Sequence, residues 1–497
     1  MSAMLVGFSD ALRPDVLLSV FVGILLGYVI GVLPGLNRPA ALAIAIPLSY
    51  YMNPVAAVGF LIGIAKASGA GGATSAIMLN IPGEPNAVVT CLDGYPMARA
   101  GKAEKALKIA LYGSVIGDIL ATIVLIIAAR PLATAALHFG PLEMTGIMLI
   151  SLTFIAGLSS GSVFKGMAAG ALGVLASTIG IDAETATPRL TFGQVELMDG
   201  IPLLVVTVGM LALSEMFIQV ESYRTSPPSQ GVLPEIVPSQ DRALGWKEFL
   251  HLTPTIGRSS AIGIGIGLLP GLGPTIASFA SYAYAKRAAR PGDQFGQGEP
   301  KGVAAAETAD NAVVPASLIP LFALGIPGSV SAAILVGAFT IHGVTPGPRM
   351  FETHARLVYG VYGAMLVASI FLLVVGRFGL IAFAKLTRVP ATIIIPVVIV
   401  LCIVGAYIES RSVFAVQLMI GFAIVAYVMH RFGYSRITFL IGFIVGPLFE
   451  LSLRQSLILL HGSPAALLNY PFAIALMLGA LVTLVLFVGW PQRTESA

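Results

Sequence analysis

The sequence predicts an all-α polytopic membrane protein with about 12 transmembrane helices and two inverted repeats, each containing a broken, re-entrant helical hairpin. Three observations support this fold class: the composition, the length of the runs without charge, and a motif that occurs in both halves. Of the 497 residues, 57% are hydrophobic and 10% are charged, whereas a soluble domain carries roughly a quarter charged residues. The formal net charge of +4 is small and scattered, so the expected surroundings are a lipid bilayer and no nucleic acid.

The charge-free runs predict the membrane crossings. A hydrocarbon core of roughly 30 Å requires about 20 helical residues. Runs without Asp, Glu, Lys, Arg or His cover 16–37, 39–65, 144–164, 259–285, 311–341, 357–376, 389–408 and 462–492. Less clean runs at 106–129, 166–181, 200–220, 412–429 and 436–450 bring the estimate to about 12 crossings, some of them re-entrant. The start lacks the basic region of a cleaved signal peptide, so the first run is expected to remain as a helix.

A duplicated motif predicts an internal repeat. Gly31-Val-Leu-Pro-Gly-Leu36 is matched by Gly267-Leu-Leu-Pro-Gly-Leu272, 236 residues later, and Asn80-Ile-Pro-Gly83 is matched by Gly325-Ile-Pro-Gly328, 245 residues later. Much of the difference between the two offsets is the charged segment 286–302, which we interpret as a water-exposed loop. Four-spaced glycines precede both copies, and for this stripe helix packing is favoured over a binding role. The stripe comprises Gly27, Gly31 and Gly35 in the first half and Gly263, Gly267 and Gly271 in the second.

The distribution of Lys and Arg favours opposite orientations for the two repeats. The segment after the first Ile-Pro-Gly carries four basic residues and one acidic residue, whereas its counterpart at 343–356 is nearly balanced. Conversely, 286–302 is basic, whereas its first-repeat counterpart at 49–54 has no charge. Because cytoplasmic loops are enriched in Lys and Arg, we expect 96–108 and 284–302 to be cytoplasmic.

The repeats divide the chain into four parts. We expect a first inverted repeat with its following helices at 1–220 and hairpin break at 80–85, and a cytoplasmic linker at 221–258. The core of the second repeat follows at 259–356 with its break at 325–329, and C-terminal helices at 357–497 form scaffold or partner surface.

Each repeat contains the features of a substrate site inside a membrane. Pro82 lacks a donor N–H and Gly83 permits backbone angles that other residues avoid, so the helix is expected to break there. Freed backbone groups in hydrocarbon must face protein or a wet cavity, where helix N-termini suit carboxylates and carbonyl groups suit sodium. Polar side chains, including Glu307, Thr308 and Asp310, surround the breaks. The candidate substrate- or ion-binding residues are Lys66, Ser68, Gly71, Gly72, Thr74, Ser75, Asn80, Pro82, Gly83, Asn311, Ser317, Gly325, Pro327, Gly328 and Ser329.

Two charges interrupt apolar stretches. Lys66 follows the charge-free run 39–65, and it either faces a cavity, where it binds a substrate carboxylate, or lies near an interface with its ammonium in water. Asp118 either couples protons or pairs with a basic residue. The histidines show no metal-ligand spacing, and neither a phosphate-binding loop nor a nucleophile elbow occurs. The sequence therefore favours a protein that is not an enzyme and has no cofactor, with sodium as a candidate coupling ion.

The motifs resemble those of the large membrane subunit of the tripartite tricarboxylate transporter family, the TctA type. The resemblance is carried by Gly31–Leu36, Leu79-Asn-Ile-Pro-Gly-Glu-Pro85, Leu92-Asp-Gly-Tyr-Pro-Met97, Ala323-Leu-Gly-Ile-Pro-Gly-Ser329 and His342-Gly343 with Pro346-Gly-Pro348. It implies a multi-pass protein of the bacterial inner membrane that imports organic carboxylates on a cation gradient. It also implies a small membrane subunit and a periplasmic substrate-binding protein as partners, and an elevator-like mechanism.

Two other functions stay open from the residues alone. A permease powered by a separate ATPase would need a cytoplasmic docking surface. An integral-membrane enzyme acting on lipid-linked substrates would need clustered acids or histidines at an interface, and the sequence does not show such clustering.

Overall fold

A computed structural model describes residues 2–33, 36–157, 162–182, 184–225, 244–386, 391–461 and 463–489. Strand structure within these ranges is a short antiparallel pair, β1 (Gly180–Ile181) and β2 (Pro188–Arg189). The remaining elements are helical, which confirms the predicted all-α class. The helices are α1 (Ser2–Ala11), α2 (Pro14–Val32), α3 (Arg38–Ser49), α4 (Pro54–Leu79), α5 (Ala87–Met97), α6 (Ala103–Ala136), α7 (Pro141–Gly157), α8 (Val163–Ser177), α9 (Leu203–Thr207), α10 (Ser214–Thr225), α11 (Trp246–Gly267), α12 (Gly273–Arg287), α13 (Pro300–Ala316), α14 (Leu318–Leu324), α15 (Val330–Ile341), α16 (Met350–Thr353), α17 (Ala355–Leu386), α18 (Ala391–Ser410), α19 (Val413–Arg431), α20 (Arg436–Leu459) and α21 (Pro471–Gly489).

Single π-helical turns connect some of these helices. Ala98–Lys102 joins α5 to α6, and Val208–Leu213 joins α9 to α10. The first of these contains Gly101 at a φ of 74°, so the chain bends sharply between α5 and α6.

Seven of the described helical segments are long and apolar enough to cross a membrane, and six shorter apolar helices accompany them. The protein is therefore a multi-pass membrane protein. The predicted total of about 12 crossings would require that shorter helices cross as well.

Several of the charge-free runs contain more than one helix. Run 39–65 is divided between α3 and α4, because the Asn53 side chain accepts the backbone N–H of Ala56 at 3.0 Å and Pro54 begins the new helix. Run 259–285 is divided between α11 and α12, where Gly271 and Gly273 adopt positive φ. Apolarity alone does not reveal such breaks.

The predicted linker 221–258 is helical at both of its ends. Helix α10 continues to Thr225 and α11 begins at Trp246. Residues 226–243 of the linker lie outside the described part of the chain, as do Pro34 and Gly35 of the first glycine motif.

Both Ile-Pro-Gly motifs directly follow a helix end. The C-cap residue of α4 is Asn80, with a φ of 57°, and that of α14 is Gly325, with a φ of 78°. The left-handed residue therefore lies at the helix C-cap, and Gly83, which would permit such an angle, does not have a positive φ. The later glycine is needed for space at the second break, because a Cβ on Gly328 would lie 2.7 Å from the Ser317 carbonyl oxygen.

Two of the four-spaced glycines in each half are packing positions: Gly27 and Gly31 in the first, Gly263 and Gly267 in the second. A Cβ on Gly27 would meet the carbonyl oxygen of Ile64 at 2.6 Å, and one on Gly263 would meet that of Ala309 at 2.5 Å. One turn later, Gly31 lies against Ser68 and Gly267 lies against Val313. Because the contacts advance in the same direction on both helices, α2 runs parallel to α4 and α11 runs parallel to α13.

The two basic segments lie at the same end of the molecule. The Asp93 carboxylate near the end of α5 accepts the backbone N–H groups of Gly296, Gly298 and Glu299, in the loop before α13. Lys105 forms an ion pair with Glu248 at 3.1 Å, which adds the start of α11 to this end. We call the segments 93–108, 246–251 and 288–302 the basic end.

Candidate functional site

A buried ionic cluster joins the two halves of the chain. The guanidinium Nη2 of Arg38, at the start of α3, lies 2.8 Å from Oδ2 of Asp310 on α13. The Arg38 Nε lies 3.8 Å from Oε1 of Glu84 in the first Ile-Pro-Gly segment, and the Arg38 backbone N–H donates to the same oxygen. All three side chains are buried, with exposures of 1%, 2% and 7% for Arg38, Asp310 and Glu84.

The cluster lies directly against the glycine-rich stretch Ser68–Ser75 of α4. A Cβ on Gly69 would lie 2.1 Å from Nη2 of Arg38 and 3.2 Å from Oδ2 of Asp310. Glycine at this position therefore lets the guanidinium reach the helix backbone. This contact brings the polar stretch of the first repeat to the acidic face of α13.

A second part of the cluster surrounds Glu307, one helical turn before Asp310. Its carboxylate accepts the hydroxyl of Thr90 on α5 and, at 3.3 Å, the hydroxyl of Ser114 on α6. The Asn311 amide nitrogen donates to the same Ser114 oxygen at 2.8 Å. Glu307 is 3% exposed. Helices α5, α6 and α13 thus meet at the Glu307 carboxylate, whose hydrogen bonds come from neutral hydroxyl groups.

Several atoms of this cluster are buried without a hydrogen-bond partner. They are Nε and Nη1 of Arg38, Oδ1 of Asp310 and Oδ1 of Asn311. Because buried polar groups are normally hydrogen-bonded, such atoms mark places where a ligand can supply the missing partner. The Arg38 nitrogens are donors suited to a carboxylate, and the two oxygens are acceptors suited to a cation.

The candidate hydroxyls of the first repeat bond within their own helix. Ser68, Thr74 and Ser75 donate to carbonyl groups three or four residues earlier in α4. Gly71 packs against the backbone of α2. A Cβ on Gly83 would lie 3.4 Å from the Cα of Gly72, so the first break folds back against this stretch.

The remaining first-break residues lie at the surface of the chain, since Asn80 and Pro82 are exposed. The second break is enclosed, since Pro327, Gly328 and Ser329 are buried. The Ser317 and Ser329 hydroxyls lie 2.9 Å apart, and the Gly328 N–H donates to the Ser317 carbonyl at 3.2 Å. The half-buried Gly325 approaches the carbonyl oxygen of Pro346.

The structure pairs Lys66 with Asp118. The Lys66 ammonium lies 2.7 Å from Oδ2 of Asp118, 2.7 Å from the Met365 carbonyl and 3.0 Å from the Ser369 hydroxyl. An ammonium has three N–H donors, so each has an acceptor in the protein. Lys66 has 0% exposure, which argues against an interfacial position for its ammonium.

Four polar side chains of the cluster, Arg38, Glu84, Thr90 and Ser114, were missed by the sequence analysis. For Arg38 a signal exists, because it is a single charge between the charge-free runs 16–37 and 39–65. For Glu84 the signal is its position directly after the first Ile-Pro-Gly. Thr90 and Ser114 carry no such signal, because hydroxyls are common in membrane helices and only the fold brings these two to Glu307.

The space beside the glycine-rich stretch is small. A void of ≈ 10 Å³ lies among Tyr28, Ala70, Ala73, Thr74 and Leu107 together with two further α6 residues, Ala110 and Leu111. That volume corresponds to about one water molecule. Within the described residues, no group of three or more His, Cys, Asp or Glu side chains is arranged to hold a metal ion.

The chain is similar to transporter proteins of one family. Residues 17–441 match the tripartite tricarboxylate transporter TctA family. A relative from Agrobacterium vitis, described as an uncharacterized 52.8 kDa protein in the TAR-I ttuC' 3' region, is 35% identical over 482 residues, which are 97% of this chain and 94% of the relative. Another from the same organism, described as an uncharacterized protein in the TAR-II ttuC' 3' region, is 34% identical over 221 residues, 44% of this chain and 91% of the relative.

No solved structure matches the chain. The family match extends over most of the sequence and includes both Ile-Pro-Gly motifs and the buried cluster. The chain therefore belongs to the tripartite tricarboxylate transporter TctA family, and it is a component of a membrane transporter rather than an enzyme.

Proposed function

We propose that this chain is the large transmembrane subunit of a binding-protein-dependent secondary transporter in the bacterial inner membrane. It imports di- or tricarboxylates or related organic acids, driven by a sodium or proton gradient, together with a small membrane subunit and a periplasmic substrate-binding protein. The observation that carries the proposal is the buried Arg38, whose Nε and Nη1 have no hydrogen-bond partner beside the glycine-rich stretch of α4. A guanidinium in a buried site matches the geometry of a carboxylate.

The direction of the helices supports an inverted pair of repeats. Arg130, late in α6, lies 3.4 Å from the Tyr359 hydroxyl, and Arg356 bonds to Asp10 just before α2. Helix α6 starts at the basic end, so these residues lie at the other end, and α2 and α4 run from there toward the basic end. Helices α11 and α13 start at the basic end and run the opposite way. The proposal places the basic end in the cytoplasm.

The binding residues come from both breaks and from the ionic cluster. Arg38 binds a substrate carboxylate, and the hydroxyl and amide groups of the predicted residues contact the remaining substrate oxygens or the coupling ion. The residues assigned to this site from the sequence are Ser68, Gly71, Gly72, Thr74, Ser75, Asn80, Pro82, Gly83, Asn311, Ser317, Gly325, Pro327, Gly328 and Ser329. Lys66 has a different role, because its ammonium already has three acceptors; it holds α4 against α6 and α17.

The enclosed state of the second break supports an elevator-like mechanism. The buried Ile326 and Ala333 pack with Ile441 and Val445 of α20, whereas the first break is exposed. In an alternating cycle, a domain that carries both breaks moves against the C-terminal helices and exchanges which break is covered.

The proposed function is tested by reconstitution. The chain is placed in proteoliposomes with its small membrane subunit and binding protein, and uptake of labelled di- and tricarboxylates is measured with and without a cation gradient. ATP is absent throughout. Uptake that requires the gradient supports secondary transport, whereas uptake that requires ATP while the gradient is clamped supports the permease powered by a separate ATPase.

The role of Arg38 is tested in the same system with Arg38→Lys. Lysine retains the charge but loses the planar fork of donors, so we expect the apparent KM for the carboxylate to rise about tenfold or more. Arg13→Lys is the matched control, because Arg13 is exposed and pairs with Asp15. An unchanged KM in a folded Arg38→Lys variant would remove Arg38 from the site.

A further inference from the structure

The buried cluster contains more negative than positive charge. The cluster contains three carboxylates, those of Glu84, Glu307 and Asp310, and one guanidinium, that of Arg38, which pairs with Glu84 and Asp310. The neighbouring ion pair of Lys66 and Asp118 carries no net charge. An ionised carboxylate in such surroundings is strongly unfavourable unless a positive charge accompanies it. The cluster therefore requires added positive charge.

Glu307 is the carboxylate without a cationic contact. Its two oxygens accept hydroxyls from Thr90 and Ser114, and the Arg38 guanidinium is engaged by Asp310. Tyr28 on α2 and Cys91 on α5 also interact electrostatically with Glu307, and neither side chain is a cation. The missing positive charge belongs beside Glu307.

A second, independent feature points to the same place. Asn311 is 1% exposed, and its amide nitrogen donates to the Ser114 oxygen that also serves Glu307. The amide oxygen of Asn311 and Oδ1 of Asp310 are buried without a hydrogen-bond partner. Carboxylate, amide and hydroxyl oxygens are the ligands that hard cations prefer.

We propose that Glu307, together with Asp310 and Asn311, binds the monovalent cation, sodium or a proton, whose gradient drives transport. This inference rests on the proposed function and names the ion site within it. Substrate and ion are coupled through Arg38. A substrate carboxylate at Arg38 competes with Asp310 for the guanidinium, and the added negative charge increases the affinity of the cluster for the cation. By linkage, the bound cation increases the affinity for substrate to the same degree.

The test measures uptake in proteoliposomes in two arms. In the sodium arm an inward sodium gradient is imposed at equal pH on both sides, and in the proton arm an inward proton gradient is imposed with equal sodium. Stimulation of the wild-type protein in one arm identifies the ion. We expect Glu307→Gln to lower uptake in that arm to the rate without a gradient, and Glu307→Asp to restore part of the stimulation. Glu196→Gln, an exposed carboxylate far along the chain, is the matched control and retains wild-type stimulation.

A second variant tests the cation site if Glu307→Gln does not fold, as judged by its size-exclusion profile. Asn311→Ala removes one oxygen of the site and leaves the carboxylates in place. We expect it to raise the half-saturating concentration of the driving cation about tenfold. Wild-type stimulation in a folded Glu307→Gln variant, or an unchanged half-saturating concentration in Asn311→Ala, would overturn the ion site. Absence of stimulation of the wild-type protein in both arms would instead contradict the proposed function itself.

Discussion

At the residue scale, the buried cations Lys66 and Arg38 differ in whether all their N–H donors have acceptors in the protein. Both side chains have 0% exposure, and the pair connects α4, α6 and α17 through Met365 and Ser369. Arg38 is equally buried but has nitrogens without partners. A buried charge whose donors are all accepted by protein holds helices together, whereas one with free donors is available to a ligand.

This distinction predicts that Lys66→Met destabilises the protein and that Lys66 itself does not contribute to substrate binding. Removing one partner of a buried pair leaves the other charge uncompensated, at about 3–5 kcal/mol. We expect a clear drop in the thermal unfolding temperature in detergent. The double variant Lys66→Met/Asp118→Leu recovers much of the loss and retains the substrate KM. Lys165→Met, at an exposed lysine, is the control. A large rise in KM in the stable double variant would return Lys66 to the binding site.

The sequence identified residues whose chemistry is unusual in a membrane, and the fold determined their partners. Lys66 and Asp118 were recognised as interrupting charges, but their pairing joins positions far apart in sequence. Arg38 and Asp310 are likewise brought together only by the packing of α3 and α13 against α4. Thr90 and Ser114 were not predictable, because a hydroxyl bonded to a buried carboxylate has the same local sequence as one bonded to its own helix.

At the element scale, the two helix breaks share the same backbone geometry at the helix end but differ in the space around their glycines. Both follow a left-handed C-cap residue, Asn80 in one and Gly325 in the other. Asparagine is among the few residues besides glycine that adopt this conformation readily. The proline and glycine in each motif predicted the positions of the breaks. Which residue adopts the left-handed conformation was not predicted, because the sequence shows which residues permit the angle and not which one adopts it.

The close approach at the second break predicts different effects for two matched substitutions. A Cβ on Gly328 would lie 2.7 Å from the Ser317 carbonyl oxygen and 2.9 Å from that of Gly267, so Gly328→Ala must displace backbone. On Gly83 the nearest atom would lie at 3.3 Å, which a small shift relieves. We expect Gly328→Ala to abolish uptake or lower it more than tenfold, and Gly83→Ala to lower it severalfold at most. Equal effects of the two, at matched protein amounts in the vesicles, would contradict this account.

The hairpin of β1 and β2 provides a pH-dependent contact with the late part of α20. This part lies away from the basic end, because Leu448 lies beside Gly325, which follows α13 and α14. The Asp182 carboxylate binds the Arg454 side chain of α20 and accepts the backbone N–H groups of Thr185 and Glu184. These bonds, led by that with Arg454, hold the pKa of Asp182 well below its usual range. Their contribution to stability is therefore complete at neutral pH and is lost as pH falls through the lowered pKa.

We accordingly expect Asp182→Asn to lower the unfolding temperature at pH 7. The difference from wild type should persist to about pH 4, the usual pKa of an aspartate, and shrink below it. Thermal unfolding across this pH series measures the difference, and Asp199→Asn at the same end is the control. A difference that grows as pH falls would contradict the sign of the shift.

At the scale of the whole molecule, the two breaks are in different states. Asn80 and Pro82 of the first are exposed, whereas Pro327 and Gly328 of the second are buried under the cluster that includes Ile441 and Val445 of α20. One covered break and one open break are consistent with the alternating access proposed above. The composition and the charge-free runs predicted the membrane fold, whereas the duplication was predicted from the repeated motifs and stays a prediction. They could not predict this asymmetry, because it depends on how α20 packs against only one of the two breaks.

The charge at the two ends of the molecule predicts its orientation in the membrane. The basic end gathers Lys102 and Arg290 from separate halves, joined through the contacts of Asp93 with the loop before α13. Because Lys and Arg accumulate on the cytoplasmic side, both positions should face the cytoplasm, and Glu196 at the other end should face the periplasm. Single cysteines at these positions, in a chain whose Cys91 and Cys402 are replaced by serine, are labelled with a membrane-impermeant maleimide.

We expect Lys102→Cys and Arg290→Cys to react in inside-out vesicles only, and Glu196→Cys to react in right-side-out vesicles only. Reaction of the first two from opposite sides would contradict the shared end, and with it the inverted arrangement of the repeats. Reaction of both in right-side-out vesicles would keep the fold but reverse its direction in the membrane. The exposed first break would then open to the periplasm, the side from which a binding protein delivers its substrate.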